Sequence, residues 1–382
     1  MSAAHDLTPL FARPPFPAEH VGSLLRPPAL QAARARAARG EIGADQLCAV
    51  EDAAIAEAVA LQEAVGLRSI TDGEFRRAYF HLDFLTQIDG VETYADARAA
   101  HFRTASGQVL DFSPPRLRVT GKLARRRPIM RRDYEVLAAC VARGGTARIT
   151  IPSPTMAFRG GRAAIDEAAY PTLEGFFEDL ARVYREEVAD LAAAGCRYLQ
   201  LDDTNLAYLC DETLRGDVRR MGQDPDALPA AYARLINESL ASAPDDMVTA
   251  IHLCRGNFKS AFVAQGGYEP VADALFNLID VDAFFLEYDD ARSGDFSPLR
   301  FLPGDKAVVL GLISSKLARL EPREEVLRRI DEAARVVPLE RLRLSPQCGF
   351  ASTEHGNDVS FDDQRRKLEL VIDCARTIWG EA

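Results

Sequence analysis

Long apolar runs are missing from the 382-residue chain, and none approaches the ~20 residues of a membrane-spanning helix, which argues against a membrane partner. The opening MSAAHDLTPLFARPPFP has no charged segment leading into an apolar one, so no secretory signal is read there. Basic residues are in the minority. The 46 Lys and Arg face 57 Asp and Glu, and the formal charge of −11 has the wrong sign for a nucleic-acid footprint. The seven cysteines are odd in number and lack disulfide-like spacing, which points to a reducing compartment, with the cytoplasm as default. No G-x-G-x-x-G or Walker-type loop is present, against a doubly wound nucleotide-binding sheet. Tryptophan occurs once, at Trp379.

The chain does hold 47% hydrophobic residues, ordinary for a substantial core, distributed as short apolar runs between longer amphipathic ones. Eight runs read as strands: 18–23, 68–72, 147–153, 197–203, 247–254, 282–290, 307–313 and 341–348. Helical patterns separate most of them. In the last, Leu368, Val371, Ile372, Ala375 and Ile378 recur on one face, and 171–194 reads as a long helix with Pro171 in its first turn. This alternation predicts a (β/α)8 barrel, an α/β fold. The segment 85–146 is too long for a simple connection and is read as an inserted hairpin and helix. Its basic patch ARRRPIMRR at 124–132 is read as solvated surface. Residues 1–17 are expected to form an irregular arm, with 18–382 as a single barrel domain. A homo-oligomer is compatible with such a chain.

The active site of this fold lies at the C-terminal ends of the strands. The fifth run, MVTAIHLC, ends in His252 and Cys254, two positions apart and therefore on the same side of a strand. The sixth ends in Glu287, followed by Asp289 and Asp290, and the eighth in Cys348. Asp202 and Asp203 end the fourth, and Asp72 and Glu74 follow the second. One nitrogen, two sulfurs and a carboxylate from His252, Cys254, Cys348 and Glu287 make a sensible tetrahedral zinc set. Ligands scattered over several strands fit catalysis better than the close pairs of a structural finger. A lone cysteine is more often packing, and Cys48, Cys140, Cys196, Cys210 and Cys374 are assigned to that class.

HLC at 252–254, LEYDD at 286–290 and SPQCGF at 345–350, with HVGSLLRP at 20–27, TDGEFRR at 71–77 and LQLDD at 199–203, resemble the cobalamin-independent methionine synthase superfamily. The likeness runs from about residue 18 to the C-terminus, and it is closer to short, single-barrel members than to the long two-barrel enzyme. The resemblance implies zinc-dependent methyl transfer from a methyltetrahydrofolate or another small methyl donor to the thiol of homocysteine, without cobalamin. The chain would then be a methyltransferase of methionine biosynthesis. It implies Zn2+ on His252, Cys254, Glu287 and Cys348, with the ammonium of the amino acid at Glu74 and Asp202 and its carboxylate at Ser23. Where the long enzyme places a histidine at the end of its seventh strand, this chain has GLISSK, which puts Lys316 forward as general acid or donor-binding group. No tryptophan stands in IPSPTMAF at 151–158, where the long enzyme stacks one on the pterin. A folate donor is therefore less well supported than the thiol acceptor.

Three other functions are weighed. Alkyl transfer to another thiol, as in epoxyalkane:coenzyme M transferases, would leave Glu74 and Asp202 without an ammonium to bind. A non-catalytic zinc- or methionine-binding regulator would not need the whole set. A metal-free decarboxylase of the porphyrin-pathway barrel type would have no use for His252, Cys254 and Cys348 together.

Overall fold

The computed structural model of the chain describes residues 12–95, 100–104, 107–113 and 115–382. Six consecutive parallel strands form its main sheet: Ile149–Pro152, Tyr198–Asp203, Val248–Leu253, Ala283–Glu287, Ala307–Ile313 and Leu342–Pro346. Ahead of them, Ser69–Ile70 pairs in parallel with Thr146–Ala147, which runs on into Ile149–Pro152. The circle closes through a parallel bridge between Ala18 and Leu344, flanked by Glu19 N–H to Leu344 O at 2.8 Å and Leu344 N–H to Pro17 O at 2.9 Å. This is the (β/α)8 barrel that the eight apolar runs predict.

The run at 18–23 is the least strand-like of the eight. Toward the second strand it uses few backbone bonds; His20 Nε2 lies 3.1 Å from Ser69 O, and Thr71 Oγ1 donates to Gly22 O at 2.7 Å. Gly22 has a positive φ of 143°, and a Cβ there would stand 2.9 Å from Thr150 Cγ2. Of the arm expected at 1–17, residues 1–11 lie outside the described residues. Phe16 is buried, and Arg343 Nε donates to Pro15 O at 2.8 Å, so this end of the segment is packed against the eighth strand rather than lying over the surface.

Alternation along the strands positions the site. Val21, Tyr198, Val248, Ala250, Ala283, Phe285, Ala307 and Val309 form an interior cluster, while Ile251, Leu253, Phe284, Leu286, Val308 and Leu310 pack outward against the helices. His252 shares the parity of Val248 and Ala250, Glu287 that of Ala283 and Phe285, and Asp202 that of Tyr198. All three therefore belong to the inner face, at the strand ends.

The outer helices include Ala44–Val65, Leu173–Ala193, Leu228–Leu240, Arg323–Ala333 and Phe361–Trp379. The helix expected at 171–194 begins two residues later than Pro171, because Thr172 caps it by accepting a bond from Gly175 N. No helix among the described residues is long and apolar enough to cross a membrane.

The insertion contains an antiparallel pair, Asp89–Tyr94 with Arg116–Ala124, a second pair, Ala100–Arg103 with Val109–Phe112, and the helix Arg131–Cys140. The second pair returns to the barrel mouth. Arg103 and Phe262 exchange backbone bonds at 2.7 and 2.9 Å, and the Phe112 ring stacks on Phe258 with centroids 3.8 Å apart. The basic patch is not uniformly solvated. Arg125 is nearly buried and paired with Glu187 at 2.6 Å and with Asp190, because helix Leu173–Ala193 sets those carboxylates three residues apart on one face.

Candidate metal centre

One ligand atom from each of His252, Cys254, Glu287 and Cys348 can be chosen so that all lie within 4.8 Å of one another, and all four residues are buried. Each side chain is oriented by its surroundings. His252 Nδ1 is 3.3 Å from Phe285 O, which places a proton on Nδ1 and makes Nε2 the ring atom that can serve as a ligand. That Nε2 has no partner among the described residues. A buried imidazole nitrogen with no hydrogen-bond partner fits the role of a metal ligand.

The Cys254 and Cys348 sulfurs are 3.4 Å apart. Two thiolates each about 2.3 Å from a tetrahedral zinc would stand about 3.8 Å apart, so the pair needs little adjustment. The hydrogen bond to Cys348, and then burial, drive the Cys254 thiol far up, while that same hydrogen bond holds Cys348 down as thiolate. Glu287 Oε1 accepts from Arg255 N at 2.8 Å, and Oε2 is 3.2 Å from the Arg292 guanidinium. Burial would raise its pKa, but the charges of Lys316, Arg292 and Arg255 outweigh it and keep the carboxylate ionised. Two sulfurs, one nitrogen and one oxygen suit zinc.

The acidic pair lies beside this centre. Asp202 is the ladder partner of His252 on the neighbouring strand. Its Oδ1 accepts from Gln200 Nε2 at 2.7 Å, and burial followed by the charge of Glu74 pushes its pKa up to about 7. Glu74 sits in the left-handed region at φ 60°, a conformation costing about 1–3 kcal/mol that surrounding contacts must hold. Asp72 accepts from Glu74 N at 2.9 Å and Thr150 Oγ1 donates to Glu74 Oε1 at 3.1 Å, but Glu74 Oε2 has no partner among the described residues.

Ser23 reaches the same mouth from the first strand. Its carbonyl accepts from Phe350 N at 2.9 Å, and any side chain at Gly349 would collide with its Oγ, so the CGF loop passes Ser23 only as glycine. Lys316 is buried, its Nζ has no partner among the described residues, and its charge acts on Glu287 and both cysteines. It also lines a cavity of about 150 Å³ with Tyr288, Asp289 and Arg292.

The other acidic candidates have local duties. Asp203 accepts from Leu206 N at 2.8 Å and from Thr155, while Asp289 and Asp290 both pair with Arg292. Sequence reasoning missed Arg292, Asn257 and Gln347, whose polar groups meet the ligands. Only their proximity to motif residues could have flagged them.

A barrel whose mouth carries a thiolate-rich cluster beside a buried acidic pair defines the class of protein. The model of the cobalamin-independent synthase catalytic domain matches residues 16–375, and the chain belongs to that family. An uncharacterized Bacillus subtilis protein, YxjH, is 45% identical over 96% of this chain and 95% of its own length. A Listeria monocytogenes crystal structure assigned to vitamin-B12-independent methionine synthase superposes with a TM-score of 0.77 at 38% identity, covering 96% of this chain and 99% of that one. The 5-methyltetrahydropteroyltriglutamate–homocysteine methyltransferase of Acidiphilium cryptum is 27% identical over 97% of this chain but only 43% of its own length.

Proposed function

We propose that the protein is a methyltransferase that methylates the thiol of homocysteine at a zinc ion held by His252, Cys254, Glu287 and Cys348, giving methionine. The observation that carries this reading is the bare, buried Nε2 of His252 facing two adjacent cysteine sulfurs, with Asp202 beside it in the ladder. A free thiol with a pKa near 8.5 is mostly unreactive at pH 7; zinc, when bound, would hold the substrate sulfur as a thiolate.

The protein's own groups do the rest. Glu74 and Asp202 bring two carboxylates to one place, and an ammonium relieves their repulsion. This favours an amino-acid thiol over a sulfonate thiol. Ser23, at the edge of the Cys348 loop, would receive the substrate carboxylate. Lys316 brings the one unpaired ammonium in this group of residues toward the metal centre. There it would either protonate the amine leaving group of a folate-type donor or bind an acidic group on a smaller one. The displacement balances simply: the sulfur–carbon bond forms as the donor–carbon bond breaks, and the electron pair leaves with the donor.

The test is elemental analysis of protein purified reduced and without chelator, paired with turnover of homocysteine across folate and small methyl donors. Close to one zinc per chain, with methionine formed, supports the reading. Absence of zinc removes the mechanism while leaving the fold.

A further inference from the structure

Cys254 and Cys348 occupy unequal surroundings. Apart from the other candidate ligands Cys254 and His252, two donors meet the Cys348 sulfur: the Asn257 amide nitrogen at 3.6 Å and the Ser352 hydroxyl at 3.7 Å. The Asn257 orientation is set by its other partners. Its nitrogen donates to Gly349 O at 2.9 Å and to Ser352 Oγ at 3.2 Å, and turning the amide over would place oxygen against the Gly349 carbonyl. Because Ser352 Oγ accepts from Asn257, its own proton is left to point at the sulfur. Cys254 has the Cys348 sulfur at 3.4 Å and no N–H or O–H donor to its own sulfur among the described residues.

Asn257 is held from the far side too. Phe258, next in the chain, lies under Phe112 of the insertion, and the following turn is built on Lys259 and Ser260, both left-handed with φ of 46° and 64°. Asn357 Oδ1 secures that turn by accepting from Ser260 N at 3.1 Å. The amide is 7% exposed and is not free to swing away from the sulfur.

We propose that Asn257, with Ser352 as its relay, is a positioning residue that makes Cys348 the weaker electron donor of the two sulfurs and fixes its place in the metal centre. This rests on the metal-binding reading above. A hydrogen bond to a thiolate stabilises its negative charge, lowers its basicity and reduces what it donates to a metal. Cys254 then carries the larger share of the electron density that keeps a bound substrate sulfur reactive. Partners of this kind, one bond removed from the metal, commonly change metal affinity about 10–100-fold when lost.

The experiment uses the full-length protein loaded with cobalt(II), whose sulfur-to-metal charge-transfer band reports the energy of the thiolate lone pairs. In Asn257→Ala the band moves to longer wavelength, and in Ser352→Ala it moves the same way by less. In zinc-loaded protein challenged with a chelator, Asn257→Ala releases metal about 10-fold more readily. A merely structural residue would weaken or abolish the band without displacing it. Should Asn257→Ala fail to fold, Ser352→Ala, at a half-buried position, decides the matter. An unmoved band and an unchanged chelator profile overturn the proposal. A wild-type protein that takes up cobalt with no thiolate band overturns the metal reading instead, which keeps the two failures apart.

Discussion

Buried ionic groups at the two ends of the barrel are built to different rules. At the N-terminal end Arg148 and Glu19, both fully buried, pair at 3.0 Å. Glu19 also accepts from Phe16 N at 2.9 Å and Tyr198 Oη at 3.2 Å, and Arg148 donates to His20 O beneath the Tyr198 and Phe285 rings. His20 stays neutral beside them, its pKa lowered to about 3 by burial and then by the Arg148 charge. Both Glu19 oxygens are occupied. At the C-terminal end, His252 Nε2, Glu74 Oε2 and Lys316 Nζ are buried with no partner among the described residues. The first network is nearly closed, with Arg148 Nε the one polar atom of that pair lacking a partner among the described residues, and it holds the barrel together, whereas the second keeps the reacting end of three side chains available to a ligand.

This contrast is broken most sharply at the open end. Cys254→Ser or Cys348→Ser should reduce metal content and turnover to background together while circular dichroism still reports a folded barrel. A mutant that keeps its full zinc content would remove that residue from the ligand set. At the closed end the expected pattern is reversed. Glu19→Gln or Arg148→Met leaves one buried partner uncompensated and should cost about 3–5 kcal/mol. Denaturant midpoints check this, and the protein that remains folded should bind metal as before. Loss of metal without loss of stability would show that the two ends are not independent.

Lys316→Ala should slow turnover by about 100-fold with a folate-type donor while homocysteine binding is nearly unchanged. With a donor whose leaving group needs no proton, the loss should appear in the donor KM instead. An unaltered rate with both kinds of donor would leave Lys316 without a part in the reaction.

Much of this was legible because barrel strands end where their apolar runs end. His252 and Cys254 stand out as soft ligands after MVTAI, and Glu287 and Cys348 follow the same pattern, so a ligand set could be assembled without knowing any distance. The Glu19–Arg148 pair could not. Both lie in ordinary-looking stretches 129 residues apart, and only the closing of the circle brings them together. The same holds for the insertion, whose return to Phe262 rests on backbone bonds that carry no side-chain signature. Arg125 was misread because local sequence shows a run of positive charge and not the two carboxylates that a distant helix turns toward it. Local alternation is written in the chain, but charge pairing across the barrel is not.

The smallest expected effect lies beside the metal centre, at Asp202. Its carboxyl is pushed up to about 7, first by burial and then by Glu74, so it gains its charge only as pH rises through that value. The charged form is the one that attracts an ammonium, so the homocysteine KM should rise as pH falls below about 7 and settle above it. Asp202→Asn removes both the charge and the titration. It should raise KM about 10-fold at pH 8, equivalent to about 1.4 kcal/mol, leave zinc content unchanged and flatten the acid limb of the KM profile. Retention of that limb would assign the titration to the substrate or to another group. An unchanged KM at all pH values would take Asp202 out of the amino-acid site and leave the acidic pair as part of the barrel's own wiring.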